Sequence, residues 1–279
     1  MTIATALSQG TKLLEEAAVG APRLTAEVLL CHALGKERSF LFGHGDDELT
    51  ELGWIHYGRY LHQRLGGEPT QYITKKQEFY GRLFRVTPDV LIPRPETEHV
   101  VEVALERARG AARAVDIGTG SGAIAVTWAL ETGSRVWATD ISAAAVAVGR
   151  ENARRLGAEV AFVECDLGAA LASRSFDLVL SNPPYIPEPD RPHLQREIRD
   201  HEPAVALYGG PTGVEIYERL IADAARLLVE GGWLVMEIGY RGEGRIREML
   251  TGWSDVETRQ DLAGWPRVVS ARHSGNPAL

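Results

Sequence analysis

The segment Val115-Asp116-Ile117-Gly118-Thr119-Gly120-Ser121-Gly122 constrains this chain more than any other. The apolar residues at 114–117 read as a short buried strand, and the apolar run from Ala123 reads as a helix. Glycines at alternate positions between them let the backbone turn tightly and pass close to a ligand. The helix N-terminus behind them offers free N–H groups. A strand-to-helix turn of this kind belongs to an α/β sheet, and the residues that follow carry the pattern on. Short apolar runs at 135–139, 160–164, 176–181 and 233–238 are interleaved with helical periodicity at 122–131, 143–156, 213–229 and 243–250. Two more strand signals, near Val256 and Val268, have no helix between them and predict an antiparallel hairpin at one sheet edge. The expected fold class is therefore α/β: a mostly parallel seven-stranded sheet covered by helices on both faces.

The first part of the chain has a different period. Helices are predicted over 2–18 and 25–34, and a third begins near Asp46. The third carries an apolar stripe of Leu49, Leu52, Ile55, Leu61 and Leu65 and stops at Gly66-Gly67. So small a bundle has a limited core and is expected to dock on something else. Then Glu78-Phe79-Tyr80, a turn at Gly81-Arg82 and Leu83-Phe84-Arg85-Val86 read as a hairpin. Pro93 and Pro95 extend the chain before a helix over 96–109. Three regions result: a helical domain over 1–70, a β-hairpin linker over 71–95, and the α/β domain over 96–279.

Composition removes several classes. The 279 residues are 44% hydrophobic and 24% charged, which rules out wholesale disorder. No run approaches the ~18 apolar residues of a membrane helix, and residues 1–10 lack the basic and apolar regions of a secretion signal. Cys31 and Cys165 are far apart with no CxxC, so neither a disulfide nor a zinc site is expected, and the cytoplasm is the expected location. The eight histidines show no ligand spacing, and no metal is expected. Residues 1–95 hold 11 basic and 11 acidic side chains, and 96–279 hold 19 and 27, so the whole net charge of −8 lies in the second part. That balance argues against unaided binding of nucleic acid.

Asp140 closes the strand after the glycine turn, where a carboxylate can accept hydrogen bonds from ribose hydroxyls. Gly118-x-Gly120-x-x-Ala123 with an acid about 20 residues on also fits a dinucleotide fold. Asp116 favours another ligand, because a carboxylate there would repel a pyrophosphate. S-adenosylmethionine carries no phosphate and has an ammonium group instead. Asp-x-Gly-x-Gly-x-Gly resembles the first motif of Rossmann-like methyltransferases. The resemblance makes Gly118, Thr119, Gly120, Ser121, Gly122 and Asp140 the cofactor cradle. It sets Asp166 beside the adenine amino group, with a helix N-cap as the alternative reading of Asp166. Leu167 follows where many relatives carry an aromatic residue, and apolar packing is expected there.

Ser181-Asn182-Pro183-Pro184-Tyr185 ends the fourth predicted strand. Asn182-Pro183-Pro184-Tyr185 resembles the active-site motif of amino-methyltransferases that act on planar amide or amidine nitrogens. A conjugated nitrogen is a poor nucleophile. The Asn182 side-chain oxygen and the Pro183 carbonyl can each accept one N–H of an –NH₂ group, stabilising the charge that develops on attack. Proline at 183 stiffens that backbone. Tyr185 can lie on the flat face of the amide, so Asn182, Pro183 and Tyr185 are the candidate catalytic residues and, with Pro184 and with Asn182 also touching cofactor, the substrate site.

Over nearly its whole length the chain resembles the release factor glutamine methyltransferases. The matching strings are Glu78-Phe79-Tyr80-Gly81, Leu91-Ile92-Pro93-Arg94-Pro95-Glu96-Thr97-Glu98, the glycine turn, Asn182-Pro183-Pro184-Tyr185-Ile186 and His201-Glu202-Pro203 with Leu207, Gly209-Gly210 and Gly213. That family joins a small helical N-terminal domain, here 1–70 and expected to dock substrate, through a hairpin to a class I, Rossmann-like methyltransferase domain. The resemblance implies S-adenosyl-L-methionine as methyl donor and, as protein partner and substrate, the glutamine of the Gly-Gly-Gln tripeptide in peptide chain release factors. No direct nucleic-acid or membrane partner and a monomeric state are expected. Pro95-Glu96-Thr97-Glu98 favours this branch over the ribosomal-protein glutamine methyltransferases. DNA or RNA adenine methyltransferases share Asn-Pro-Pro-Tyr but normally add a basic recognition module. A module that only senses cofactor has no need of 182–185. Arg94 to Glu98 reads as a wall of the active site, with a capped helix start as the alternative, and His201-Glu202-Pro203 receives no chemical role from sequence.

Overall fold

A computed structural model describes residues 1–275; residues 276–279 of the predicted third region lie outside the described residues. The chain forms two compact units, one from Met1–Lys75 with Gln195–His201, the other from Lys76–Leu194 with Glu202 onward.

The first unit holds α1 (Ile3–Glu16), α2 (Pro22–Leu34), α3 (Arg38–Gly43), α4 (Glu51–Leu65) and α5 (Thr70–Thr74). Thr2 and Thr50 cap α1 and α4, each hydroxyl accepting a backbone N–H three residues on. The predicted stripe on α4 is corrected. Leu61 is buried, but Leu52 and Ile55 are 63% and 56% exposed. The face that goes inward is Gly53, Tyr57, Leu61 and Arg64. Close approach decides this. A Cβ on Gly10 would sit 1.9 Å from the Tyr57 hydroxyl, and one on Gly53 would sit 3.1 Å from Leu34. Hydrophobicity alone does not record such fits. The boundary at 70 also moves, because Ile73 of α5 belongs to this core and the unit runs to Lys75. The distant segment 195–201 joins the unit through an Arg64–Glu197 ion pair at 2.5 Å and a hydrogen bond from Arg196 to the Gly66 carbonyl.

In the second unit, β1 (Lys76–Phe79) and β2 (Arg82–Arg85) pair antiparallel. Their turn is Tyr80-Gly81, with φ of 53° and 71°, one residue before the predicted Gly81-Arg82. A two-residue hairpin loop of type I′ needs positive φ at both central positions. Phe79 and Phe84 meet edge-to-face and pack in the same core as the next helices, so the hairpin is built into this unit. After a 3₁₀ turn, Pro95–Thr97, come α6 (Glu98–Ala108), β3 (Arg113–Ile117), α7 (Ala123–Thr132), β4 (Arg135–Asp140), α8 (Ala143–Leu156), β5 (Val160–Glu164) and β6 (Phe176–Ser181). An excursion with no periodic signal in the sequence follows: β7 (Ile186–Pro187), a 3₁₀ turn, α9 (Arg196–His201, counted with the first unit), α10 (Ala204–Leu207) and β8 (Tyr208–Gly210), which pairs with β7. Then come α11 (Glu215–Leu227), β9 (Leu228–Glu237), α12 (Glu243–Met249), β10 (Ser254–Gln260) and β11 (Pro266–Arg272).

The sheet has seven strands in the order β10-β11-β9-β6-β3-β4-β5. β11 runs antiparallel to both its neighbours and the other pairs are parallel, which is the predicted edge hairpin. Helices α6, α7 and α8 cover one face over Leu178 and Leu180, with Trp128 fully buried. Helices α11 and α12 cover the other over Val115, Ile117 and Val179. The order reverses between β3 and β6, which opens a crevice at their carboxyl ends.

Candidate active site

The crevice holds a cavity to which four strand ends contribute. Gly118, Thr119, Gly120 and Ser121 follow β3, Asp140 ends β4, Asp166 and Leu167 follow β5, and Asn182 and Pro184 follow β6. These are nine of the predicted site residues, drawn from positions up to 66 residues apart in sequence onto one cavity.

The glycine turn takes the form its residues require. Gly118, Gly120 and Gly122 all have positive φ, at 74°, 54° and 81°. The N–H groups of Gly118 and Thr119 both donate to the Thr139 carbonyl at 2.9 Å, and that of Gly120 donates to Asp140 Oδ2 at 2.9 Å. Asp140 Oδ1 accepts from the Ser142 N–H at 2.9 Å. Both carboxylate oxygens are thus anchored while the residue still lines the cavity. Burial raises its pKa, and the backbone N–H groups of Ser142, Gly120 and Ile141 oppose the rise.

Three predicted residues fall outside the lining. Gly122 is a packing position: at a φ of 81°, a Cβ there would sit 3.3 Å from the Gly149 Cα of α8. Pro183 is buried, and Tyr185 is half-buried with its hydroxyl donating to Glu237 Oε1 at 3.2 Å. Asp166 caps no α-helix; its carboxylate pairs with Arg219 at the cavity edge.

Asp116, which in the sequence argument discriminates between ligands, does not line the cavity. It is fully buried on the α7 side of β3, where Oδ2 accepts from the Thr119 hydroxyl at 2.6 Å and the Ala125 N–H at 3.2 Å. Oδ1 has no partner among the described residues. Its work is to tie the turn to the first residues of α7. The carboxylates that do line the cavity are Asp89, Asp140 and Asp166, the last neutralised by Arg219.

Burial pushes the Asp116 carboxyl up to about 7, against the two hydrogen bonds that favour its ionised form. A carboxyl whose folded pKa exceeds its unfolded value holds its proton more tightly when folded. Its contribution to stability is complete below about pH 4 and is lost as pH rises through about 7. The amount is on the order of 4 kcal/mol. Asp116→Asn cannot titrate, so the melting temperature of wild type relative to this variant should fall steadily between pH 4 and 8. A difference that stays flat across that range in ligand-free thermal melts would contradict the assignment.

Several residues that have no individual role in the sequence reading build the site, Thr97 among them from the stretch read as its wall. Asn152 of α8 is fully buried, donates to the carbonyls of Ser121 and Arg85 at 2.9 Å, and accepts the Arg85 N–H at 2.7 Å. It clamps the glycine turn to the hairpin. Glu202 accepts from the Ile92 N–H and from Arg94, which holds the 89–93 wall of the cavity and gives the Glu202 of His201-Glu202-Pro203 a structural purpose. Asn182 donates from Nδ2 to Thr97 Oγ1 at 3.0 Å, and Thr97 donates to Glu237 Oε2 at 2.6 Å. Thr97 and Glu237 are 4% and 1% exposed. Burial raises the Glu237 pKa, opposed by Thr97, Arg267 and Tyr185. An acid at the end of a predicted strand, as Glu237 is, was the one available signal. The exposed Ile141, directly after Asp140, is another lining residue of this kind.

The chain matches known proteins over nearly its whole length. Residues 5–74 match the family described as PrmC N-terminal domain, and residues 98–198 match the methyltransferase small domain. The release factor glutamine methyltransferase of Koribacter versatilis is 44% identical over 276 residues, covering 98% of this chain and 99% of that protein. The protein of the same name from Bacillus subtilis is 39% identical, covering 97% of each. A crystal structure of a methyltransferase from Pyrococcus furiosus superposes with a TM-score of 0.55 at 20% identity, covering 78% of this chain and 99% of that one. This last likeness shows the class I methyltransferase fold. With a seven-stranded sheet of that fold, a helical N-terminal unit and relatives matched end to end, the chain belongs to the release factor glutamine methyltransferase family.

Proposed function

We propose that this protein transfers the methyl group of S-adenosyl-L-methionine to the side-chain N5 of the glutamine in the Gly-Gly-Gln motif of peptide chain release factors. The observation that carries the reading is the placement of Asn182. It lines the same cavity as the glycine turn and Asp140, so a nitrogen held by Asn182 lies beside whatever the turn and Asp140 hold.

The cavity fits the proposed donor. Asp140 can accept from the ribose hydroxyls, Ile141, Leu167 and Ile216 provide apolar surface for a flat base, and Asp166 lies beside them. Asp89 and Asp140, which pair with no cationic side chain among the described residues, favour a cationic ligand over a pyrophosphate. When bound, the donor supplies an electrophilic methyl on a sulfonium. Everything else is done by the chain. Asn182 Oδ1 and the Pro183 carbonyl accept the two N–H groups of the substrate amide and turn its lone pair toward the methyl. Orientation of this kind can contribute ~7–11 kcal/mol. The Tyr185 hydroxyl is engaged by Glu237, so Tyr185 serves the site by holding the 182–185 turn against β9. The helical unit docks the body of the release factor, the role expected for a bundle with so small a core.

The test is mass spectrometry of a release factor after incubation with the enzyme and labelled donor, beside a short Gly-Gly-Gln peptide and an adenine oligonucleotide. One added methyl on the glutamine is expected, with kcat/KM for the intact factor at least about tenfold above the peptide, equivalent to ~1.4 kcal/mol of remote binding. Methylation of the oligonucleotide instead would reject the substrate, and equal rates on factor and peptide would reject the docking role.

A further inference from the structure

Resting on the reading that Asn182 Oδ1 accepts a substrate N–H, we infer that Thr97, held by Glu237, decides which end of the Asn182 carboxamide faces the substrate. A carboxamide has two ends of nearly equal shape and opposite hydrogen-bonding character. Only one orientation serves the reaction, because an Nδ2 group turned to the substrate amine would set donor against donor.

The polarity follows from one proton. The Thr97 hydroxyl can donate once, and Glu237 in its carboxylate form, which Thr97, Arg267 and Tyr185 favour against burial, can only accept. Glu237 Oε2, at 2.6 Å, takes that proton. Thr97 Oγ1 is left with acceptor capacity alone toward Asn182 at 3.0 Å, so it must meet Nδ2. Oδ1 is then the end left for the substrate. Reversing the carboxamide would place Oδ1 against an acceptor and Nδ2 against the substrate donors, losing both interactions at once.

The fold holds this relay rigid. β6 and β9 are parallel neighbours with Ser181 paired to Met236, which sets Asn182 and Glu237 at adjacent strand ends. Thr97 reaches them from the 3₁₀ turn before α6. The Tyr185 hydroxyl occupies Glu237 Oε1, and Tyr217 donates to the Glu237 carbonyl at 3.1 Å, so the carboxylate has both a fixed backbone and a fixed second oxygen. Thr97 and Glu237 are both buried, so bulk water does not compete for these hydrogen bonds. Thr97 is thus a positioning residue that acts through Asn182.

Thr97→Val keeps the shape and removes the hydroxyl; Thr97→Ser keeps the hydroxyl. Single-turnover methyl transfer at saturating donor and release factor is measured for both, in the wild-type and Asn182→Ala backgrounds, with calorimetric donor affinity alongside. Thr97→Val should slow the step by about tenfold, the scale of one neutral hydrogen bond. Donor affinity should be unchanged, and Thr97→Ser should stay within about twofold of wild type. Thr97 also lines the cavity, but its hydroxyl is spent between Glu237 and Asn182, so in the Asn182→Ala background Thr97→Val should add less than about twofold. If Thr97→Val melts below the assay temperature, Thr97→Ala takes its place in the same cycle. A wild-type rate in Thr97→Val, or a loss that adds in full to that of Asn182→Ala, overturns the inference while the role of Asn182 stands. A wild-type rate in Asn182→Ala removes the role of Asn182, and this inference with it.

Discussion

Asn182→Ala should lower the rate of methyl transfer by roughly 10²–10³, the loss seen when one preorganised polar group is removed from an oxyanion-type site. The amide oxygen accepts a substrate N–H whose polarity grows as the nitrogen lone pair commits to the methyl. The interaction is therefore stronger in the transition state than in the ground state, which places its loss in kcat. Affinity for the release factor should change little, because most of that contact is remote from the glutamine. Asn182→Asp refines the expectation. Its carboxylate still accepts from the substrate but can no longer donate to Thr97 Oγ1, which Asn182 does at 3.0 Å. Its rate should fall between those of wild type and Asn182→Ala. The measurement is single-turnover transfer at saturating donor and factor. A wild-type rate in Asn182→Ala would make the 182–185 turn structural.

Asp140→Ala should weaken binding of S-adenosyl-L-methionine by about 30- to 1,000-fold, or roughly 2–4 kcal/mol. Two losses combine. The first is the pair of charge-assisted acceptors proposed for the ribose, at about 1.5–3 kcal/mol for a hydrogen bond to a charged group. The second is the brace on the glycine turn, since Asp140 holds the N–H groups of Gly120 and Ser142, each at 2.9 Å. Asp140→Asn should be milder than alanine yet clearly weaker than wild type, because one end of its amide must face a backbone donor. Calorimetry with the donor and with its demethylated product separates two causes. Ribose is common to both ligands, so both should weaken alike. If only the sulfonium form loses affinity, Asp140 acts through charge on sulfur and the ribose assignment is wrong.

Much of this protein was written locally. Periodicity and the spacing of glycines located the strands and helices of the α/β unit, because a buried strand and an amphipathic helix each impose a pattern within a few residues. The helix predicted at 143–156 is α8 to the residue, and the edge hairpin followed from two strand signals with no helix between them. Asp140, Asn182 and the glycine turn could be named for the same reason, since each lies at the end of an element whose boundaries are legible.

Other features were decided in three dimensions. The inward face of α4 is set by Tyr57 seated against Gly10, a fit between two helices that hydropathy does not encode. Segment 195–201 joins the helical unit through Arg64 and Glu197, 133 positions apart. Asp116 looked like a ligand selector in sequence and is a buried brace in the fold, because strand alternation turned it beneath α7 and away from the cavity. The relay Asn182–Thr97–Glu237 spans separations of 85 and 140 residues, and none of its hydrogen bonds leaves a periodic or compositional trace. A motif specifies which side chain is present at the end of a strand. Which end of that side chain faces the substrate depends on donors and acceptors that only sheet register and helix packing bring within 3 Å.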